Sequence, residues 1–209
     1  VTTSFGGGDQ DFWVIKTDAN FNPEWNKTYG GSGSEAPGYR SIVQTNDGYA
    51  LVGRYSESDY DHSDLWLIKI DSNGNTQWNK TFGGANRDEA MCFVQSDDGG
   101  FVIAGATRSF GAGATDGWLV KTDASGNMEW NRTYGGGGWD GFRGMKRTTD
   151  GGYILAGVYE ATNGWDFWLL KTDAEGNEAW SKFYGIGRDD DAFDVVQTND
   201  GGYALTGFA

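Results

Sequence analysis

A segment of about eight residues occurs four times along the 209-residue chain, and this repeat constrains the fold more than any other feature. The segment DFWVIKTD at residues 11–18 returns as DLWLIKID, DGWLVKTD and DFWLLKTD. Its tryptophans are Trp13, Trp66, Trp118 and Trp168, so the period is 50 to 53 residues. From Trp168 through the end of the chain and back to Trp13 is one further period. The sequence therefore predicts four repeats, one of them split between the two ends.

Each repeat is predicted to contain four short strands, which we call a to d. The W-x-x-K-x-D segment alternates with a period of two and gives strand c. A D-x-x-G-N turn leads to strand d, which holds a second tryptophan and an aromatic–glycine pair. Strands a and b flank an Asn/Asp-Asp-Gly hairpin. In the first copy Phe21 replaces the turn glycine and Pro23 follows Asn22, so we expect that turn to differ.

Tandem units of four strands and about 40–50 residues are typical of β-propellers. We therefore predict that residues 1–209 form a single all-β domain, a four-bladed propeller with four antiparallel strands per blade and a repeat of about 52 residues. Strands a and b from residues 194–209 are expected to pair with strands c and d from residues 1–30. This shared blade would close the ring and remove two open sheet edges.

Three motifs recur together: W-x-x-K-x-D-x-x-G-N, W-x-K-x-Y-G-G and D-G-G-Y-x-x-x-G. In this combination the chain resembles the β-propeller repeat segments of secreted and surface proteins of bacteria and archaea and, less closely, the PQQ-like propellers. The resemblance implies a propeller fold, an extracellular or cell-surface location and a scaffold role. Nothing in the chain resembles the cofactor-binding residues of the quinone dehydrogenases, so the resemblance does not imply a quinone cofactor for this chain.

Composition excludes several classes of function. Thirty acidic residues against 16 basic ones give a net charge of −14, which argues against nucleic-acid partners and anionic membrane surfaces. One histidine, His62, and one cysteine, Cys92, leave no Cys/His zinc site and few catalytic groupings. We expect Cys92 to be a buried, inert residue. No apolar stretch is long enough to span a membrane.

The tryptophans of strands c and d are expected to fill the spaces between blades, whereas Trp139 and Trp165 break the repeat. Chain order places the d–a and b–c loops on one face, where they vary in length and content. Aromatic and acidic residues of this loop face are predicted to bind the ligand. The predicted ligand-binding residues are Trp139, Trp165, Tyr60, His62, Phe110, Asp140 and Asp190.

The d–a loops are also acidic, and around a closed ring their carboxylates would converge near the central opening. Oxygen ligands of this kind suit Ca²⁺, although a solvated acidic rim without an ion is the alternative. The candidate metal ligands are Asp88, Glu89, Asp189 and Asp191. No cofactor is otherwise required.

Three N-x-Thr sequons occupy the same place in strand d, at Asn26, Asn79 and Asn131. Because strand d should be the outermost strand, these asparagines are predicted to be accessible glycosylation sites of an extracellular protein. The alternative is a strand sequence repeated by duplication.

Together these features predict a non-catalytic extracellular or cell-surface module that binds a glycan or a surface protein through its loop face. One alternative is self-association, with the chain as the structural subunit of a surface layer, sheath or filament. A second alternative is a glycoside hydrolase that uses two loop carboxylates. We do not expect an enzyme, because the acidic residues recur in most repeats whereas a catalytic pair would be asymmetric.

Overall fold

The computed structural model describes residues 10–57, 60–185 and 189–209. Sixteen β-strands and one short 3₁₀ helix, Tyr60–His62, make up the regular structure of these residues. None of them forms a helix with the length and apolarity that crossing a bilayer would require. The segment 1–9, which the sequence placed at the ring closure, lies outside the described residues.

Three consecutive units contain four strands each, and a two-stranded hairpin lies on either side of them in the sequence. The N-terminal hairpin consists of β1 (Phe12–Thr17) and β2 (Pro23–Tyr29). Unit 1 consists of β3 (Ala36–Thr45), β4 (Gly48–Tyr55), β5 (Asp64–Asp71) and β6 (Thr76–Phe82). Unit 2 consists of β7 (Asp88–Gln95), β8 (Phe101–Thr107), β9 (Asp116–Thr122) and β10 (Met128–Tyr134). Unit 3 consists of β11 (Gly141–Arg147), β12 (Tyr153–Ala161), β13 (Gly164–Thr172) and β14 (Glu178–Tyr184). The C-terminal hairpin consists of β15 (Asp191–Gln197) and β16 (Tyr203–Phe208).

Antiparallel pairing runs through each unit in chain order, as the strand pattern predicts. Units 1 and 2 are joined into one curled eight-stranded sheet by a parallel bridge between β3 and β7, at Arg40 and Cys92. Unit 3 is a separate four-stranded sheet. The two hairpins are separate two-stranded sheets.

The prediction of a closed four-bladed propeller is therefore wrong. In the described part of the chain, β1 pairs with β2 alone and β16 pairs with β15 alone. The described strands of residues 1–30 and 194–209 therefore do not form the shared blade that the sequence predicted, and among them one edge of β1 and one edge of β16 have no neighbouring strand.

The parallel bridge between β3 and β7 is a second departure from the propeller pattern, and its cause lies in β3. An ideal Cβ on Gly38 would lie 2.6 Å from the carbonyl oxygen of Met91 and 2.7 Å from that of Ala90. Because glycine has no Cβ, the backbones of β3 and β7 approach closely enough to form their parallel bridge. Propeller blades stay separate because side chains fill the space between their inner strands, and here that spacing is lost.

Tryptophans of strand d hold neighbouring units together. Trp25 Nε1 donates a hydrogen bond to the carbonyl of Ser72, 3.0 Å away, in the turn of the next unit. An ideal Cβ on Gly126 would lie 2.6 Å from the Trp78 ring, and one on Gly176 would lie 2.7 Å from the ring of Trp130. Each indole therefore packs directly on the c–d turn of the following unit, which requires glycine in those two turns.

The tryptophans of strand c behave differently in the units and in the hairpin. Trp66, Trp118 and Trp168 are buried, which confirms the predicted core role for these three. Trp13 is 44 % exposed, so the same prediction is wrong for the N-terminal hairpin. Among the described strands, no strand b lies beside β1 to extend the sheet over the indole.

The first c–d turn has the same hydrogen bonds as the others, so the prediction that it differs is wrong. Asp71 N donates to Asn75 O over 2.9 Å in the second turn, and Asp18 N donates to Asn22 O over 2.9 Å in the first. Phe21 therefore adopts a left-handed conformation, with φ of +65°, where the other turns have glycine. A bulky side chain in that region is strained.

We expect Phe21→Gly to stabilise the protein. Relief of the left-handed strain contributes about 1 kcal/mol, partly offset by the greater freedom of glycine in the unfolded chain. The Phe21 side chain is 86 % exposed, so little packing is lost with it. Thermal unfolding should show a Tm higher by about 1–3 °C.

Gly201→Ala is the matched control with the opposite sign. Gly201 has a φ of +85° and nothing lies within 4 Å of an ideal Cβ, so only backbone strain is added. Its Tm should fall by about 2–4 °C. A lower Tm for Phe21→Gly would show that the ring makes a stabilising contact.

Candidate functional site

A cavity of about 310 Å³ lies at the loop end of the inner strands β3, β7 and β11. Its walls combine arginine and aromatic side chains with the backbone of β3. Residues of the wall used below are Arg54, Arg87, Arg143, Tyr60, Trp139 and Met91. The volume is that of a small-ligand pocket.

Irregularities in the inner strands aim side chains at this cavity. The register of β7 shifts between Ala90 and Cys92, which leaves Met91 unpaired, and the register of β11 shifts between Phe142 and Gly144, which leaves Arg143 unpaired. A β-bulge turns the extra residue away from the regular alternation. The bulges of β7 and β11 therefore each direct one side chain to the cavity wall.

Aromatic rings hold the three guanidinium groups in place. Arg54 Cζ lies 4.1 Å from the centroid of the Tyr60 ring and Arg87 Cζ lies 3.8 Å from the same centroid. Arg143 Cζ lies 5.1 Å from the centroid of the Trp139 ring. Cation–π contacts of this length are attractive and limit the motion of long side chains. The arginines are thus pre-positioned around the opening.

Two carboxylates compensate part of this positive charge. Arg87 Nη2 donates to Glu89 Oε2 over 2.6 Å, and Arg143 Nε donates to Asp191 Oδ2 over 3.3 Å. Burial raises the pKa of Asp191, although the charge of Arg143 opposes the shift. Three guanidiniums therefore face two carboxylates, which makes this a locally positive cavity in a chain with a net charge of −14.

Two guanidinium nitrogens of the wall, Arg54 Nε and Arg87 Nε, are buried without a hydrogen-bond partner among the described residues. A buried donor without an acceptor is costly. An anion in the cavity is the kind of group that supplies such acceptors.

Of the predicted ligand-binding aromatics, Tyr60 and Trp139 line the cavity and Trp165 lies beside it. The rings of Trp139 and Trp165 are 5.7 Å apart, and Trp165 lies in β13 rather than in a loop because β12 and β13 form a tight hairpin. Phe110 packs on Trp118 with ring centroids 5.6 Å apart, away from the cavity wall. His62 is exposed in the 3₁₀ helix and is not part of the wall.

The predicted acidic binders Asp140 and Asp190 are buried and tie the loops together. The backbone N–H of the first buried acid in each d–a loop donates to the carbonyl just before a strand-c aspartate. These pairs are Glu35 to Gln10 at 2.8 Å, Asp88 to Ser63 at 2.6 Å, Asp140 to Thr115 at 2.8 Å and Asp190 to Trp165 at 2.8 Å. The carboxylate of Asp140 also accepts from the N–H groups of Gly136 and Glu160. These bonds give Asp140 a structural role.

Each of these acids lies close to the strand-c aspartate. An ideal Cβ on Gly83 would lie 1.9 Å from Asp64 Oδ1 and 2.8 Å from Asp88 Oδ2, so both carboxylates converge on one point. Burial, and then the charge of Asp88, raise the pKa of Asp64. Burial also raises the pKa of Asp140 and of Glu35, each with a neighbouring aspartate adding to the shift.

The candidate calcium ligands have other partners. Asp88 accepts from Thr107 Oγ1 and from Ser109 Oγ, while Glu89 and Asp191 bind arginines as described above. Asp189 is exposed, with φ of +124°. No three acidic, histidine or cysteine side chains in the described ranges group around a point where an ion would fit. Calcium binding stays a prediction, and these contacts do not favour it.

The sequon asparagines Asn26, Asn79 and Asn131 are exposed on β2, β6 and β10. The side-chain oxygens of two of these asparagines accept hydrogen bonds from the indoles of strand c: Trp66 Nε1 donates to Asn79 and Trp118 Nε1 donates to Asn131, both over 3.3 Å. The asparagine side chain therefore stabilises the pairing of strands c and d even when it carries no glycan. Glycosylation stays a prediction.

Cys92 is fully buried, and burial raises the pKa of its thiol to about 12. A thiol with so high a pKa is not a nucleophile at neutral pH.

In comparisons with known proteins, no family model matches the chain and no curated protein matches it at a significant level.

Sequence reasoning missed the three arginines of the cavity. The signal for Arg54 is its position after the last glycine of strand b, where the other copies carry Ala106, Val158 and Phe208. The signal for Arg143 is a bulge position that holds Met91 in unit 2. The signal in the sequence was therefore a charged residue at a position that is apolar in the other repeats.

We expect Asp64→Asn to stabilise the protein at neutral pH. The folded state keeps a proton on Asp64 to higher pH than the unfolded chain does. The contribution of the Asp64 carboxyl group to stability is thus fully present below about pH 4 and is lost as the pH rises through its folded-state pKa. The variant should raise Tm by about 2–4 °C at neutral pH and by less as the pH falls toward 4.

Asp71→Asn is the matched control. The side chain and the backbone N–H of Asn75 donate to Asp71 and lower its pKa, so its stabilisation is present above about pH 4 and is lost at lower pH. This variant should lower Tm at neutral pH. Equal Tm changes for the two variants, or a pH-independent change for Asp64→Asn, would contradict the assignment.

Proposed function

We propose that the protein is a non-catalytic binding module and that the cavity formed by β3, β7 and β11 takes an anionic group of its ligand. The observation that carries the proposal is the set of three arginines held at one opening of an otherwise acidic chain. Such a surface repels most anions at long range and attracts one at this point.

An acidic glycan is the ligand class that fits this wall best. Guanidinium groups bind carboxylates through paired hydrogen bonds. The Trp139 and Trp165 rings form an aromatic edge beside the arginines, and rings of this kind pack on the apolar face of a sugar. Tyr60 has a different task, because two guanidiniums already lie on it.

The proposal places the module outside the cell or on its surface, as the repeat resemblance and the exposed sequons imply. It assigns no reaction, because the carboxylate pairs of the loop face are buried and recur from repeat to repeat. The chemistry of the wall supports recognition: its charged groups are guanidiniums already held by rings and carboxylates.

Titration calorimetry with a short oligogalacturonate tests the proposal, with a neutral oligosaccharide of equal length and inorganic phosphate as the other arms. We expect the oligogalacturonate to bind and the neutral sugar to show no heat. Arg143→Ala and Arg54→Ala should each weaken binding about tenfold or more, and added salt should weaken it further. Binding of phosphate alone would assign the cavity to a phosphate-bearing ligand instead.

Arg132→Ala is the matched control, since Arg132 also lies over a tryptophan ring, 5.5 Å from the centroid of Trp130, but outside the cavity. It should leave binding unchanged. Trp139→Ala and Trp165→Ala should weaken oligogalacturonate binding while the protein stays folded by circular dichroism. No binding of any anion, or equal loss in the Arg132 variant, would refute the proposal.

A further inference from the structure

Lys146 stands in an inner strand at a position where the other copies of the repeat carry an apolar side chain. Each of these residues pairs with strand b three residues before its glycine, and the other copies hold Val43, Val94 and Val196 there. The next position is glutamine in the other copies and Arg147 in unit 3. Charged departures of the same kind line the cavity formed by β3, β7 and β11. Unit 3 therefore also departs from the repeat at the other end of its inner strand, beside the turn that joins strands a and b.

The structure gives Arg147 a protein partner and leaves Lys146 without one. Arg147 Nη1 and Nη2 donate to the two carboxylate oxygens of Asp97, in the a–b turn of unit 2. Lys146 makes no hydrogen bond and no ion pair within residues 10–57, 60–185 and 189–209. The strand-c lysines, in contrast, each bind a carboxylate: Lys69 binds Asp47, Lys121 binds Asp98 and Lys171 binds Asp150.

The Lys146 side chain is half-buried and lies near a second cation. Burial, and then the charge of Arg40, lower the pKa of Lys146, and the Cys92 thiol opposes this shift only in part. Arg40 itself donates to Asp194, so its own charge is compensated. A half-buried ammonium group without an acceptor costs free energy. An anion bound at Lys146 Nζ would supply that acceptor and offset the effect of Arg40.

Lys146 lines a groove of about 500 Å³ between β11 and the C-terminal hairpin. Two contacts, one on each side of Lys146 along the chain, fix the spacing of these elements. An ideal Cβ on Gly144 would lie 2.7 Å from the carbonyl oxygen of Phe193, and Thr149 N donates to Gln197 Oε1 over 3.0 Å. The groove is therefore held open by packing at one end and by a hydrogen bond at the other.

Polar groups make up most of the groove wall. Besides Lys146 and Arg147, the wall contains Thr149, Val196, Gln197, Thr198 and Asn199. Hydroxyl and amide groups both donate and accept hydrogen bonds, which suits the hydroxyl groups of a ligand. Because Asp97 compensates Arg147, the wall has one charge without a partner, and one carboxylate would complete the pairing. The volume is that of a small-ligand site.

We propose that Lys146 and the groove between β11 and the C-terminal hairpin form a second binding site, which takes a small hydroxylated carboxylic acid such as a sugar acid. Lys146 Nζ donates to the carboxylate, and the threonine and amide groups of the wall bind the hydroxyl groups. The groove shares no wall residue with the cavity formed by β3, β7 and β11. The two sites can therefore be tested separately.

Titration with gluconate, followed through amide chemical shifts in NMR spectra of the unaltered chain, tests this site. We expect saturable shifts at Thr149, Gln197 and Thr198, with a Kd of about 1 mM or tighter. Sorbitol has the hydroxyl groups without the charge and should cause no shift at these amides. Acetate has the charge without the hydroxyl groups and should bind about tenfold more weakly than gluconate.

Lys146→Val is the decisive variant, because it places the residue of the other repeats at this position and should keep the fold. It should weaken gluconate binding in the groove about tenfold or more, since a charge-assisted hydrogen bond is lost. Without ligand its Tm should be higher by about 1–3 °C, because a half-buried cation is removed. Saturating gluconate should narrow this difference, because the ligand stabilises the chain that binds it.

Lys182→Gln is the matched control, since it also removes one lysine but lies in β14, outside the groove wall. It should leave gluconate binding unchanged. Equal loss in this variant, unchanged binding in Lys146→Val, or sorbitol shifts of the same size would overturn the proposal. Gluconate shifts confined to Met91 and Arg143 would overturn it as well and would assign the acid to the other cavity. Loss of oligogalacturonate binding in the arginine variants leaves the groove proposal intact.

Discussion

The contact between an aromatic strand d and the c–d turn of the next unit is the interaction on which this structure depends. Among the described strands, ladder pairing runs within each unit, and the bridge between β3 and β7 is the one ladder that joins two units. Side chains add the contacts at the turn end of the strands: Trp25 and Tyr29 reach the turn of unit 1, and Tyr134 Oη donates to the Gly176 carbonyl of unit 3. Each contact needs a tight turn whose carbonyls face outward.

Buried acids provide the second set of links, at the opposite end of the strands. The N–H groups of Glu35, Asp88 and Asp140 bind carbonyls that precede strand c, and these bonds fix the d–a loops over the b–c connections. The arrangement brings carboxylates close together, which raises the pKa of Asp64 and Asp140. Bringing these carboxylates together costs electrostatic free energy. The same acidic residues supply hydrogen-bond partners to backbone groups of the loops, and these bonds make the loop face rigid.

The sequence predicted the strands and hairpins well because these depend on local pattern. The W-x-x-K-x-D alternation and the turn signals place β5, β9 and β13, and the repeat places Trp66, Trp118 and Trp168 in the core. Closure of the ring was not predictable in this way. It depends on pairing between strands almost 200 residues apart, and local pattern gives no measure of it. The resemblance to propeller repeats implied a closed ring, and the structure shows the units joined differently.

One smaller error and one untested prediction show how neighbouring groups decide the role of a residue. Phe21 was expected to change its turn, but the hydrogen bonds of Asp18 hold the backbone so firmly that the phenylalanine accepts a left-handed conformation. Tyr60 was predicted to bind the ligand directly, and this stays a prediction; in the structure its ring carries Arg54 and Arg87. In both cases the network around a residue, rather than its own preference, decides what it does.

The cavity shows why function is harder to read than fold in a repeat protein. Residues that recur in every copy, such as the tryptophans of strands c and d, are explained by packing and pairing. The residues that line the cavity do not recur: Arg143 occupies a bulge position that holds Met91 in unit 2, and Arg54 stands where Ala106 stands. A cation at an apolar position is tolerated only where rings and carboxylates stabilise it, and here Trp139, Tyr60 and Glu89 do so. The departure from the repeat therefore involves several residues at once, which favours a site over a chance substitution.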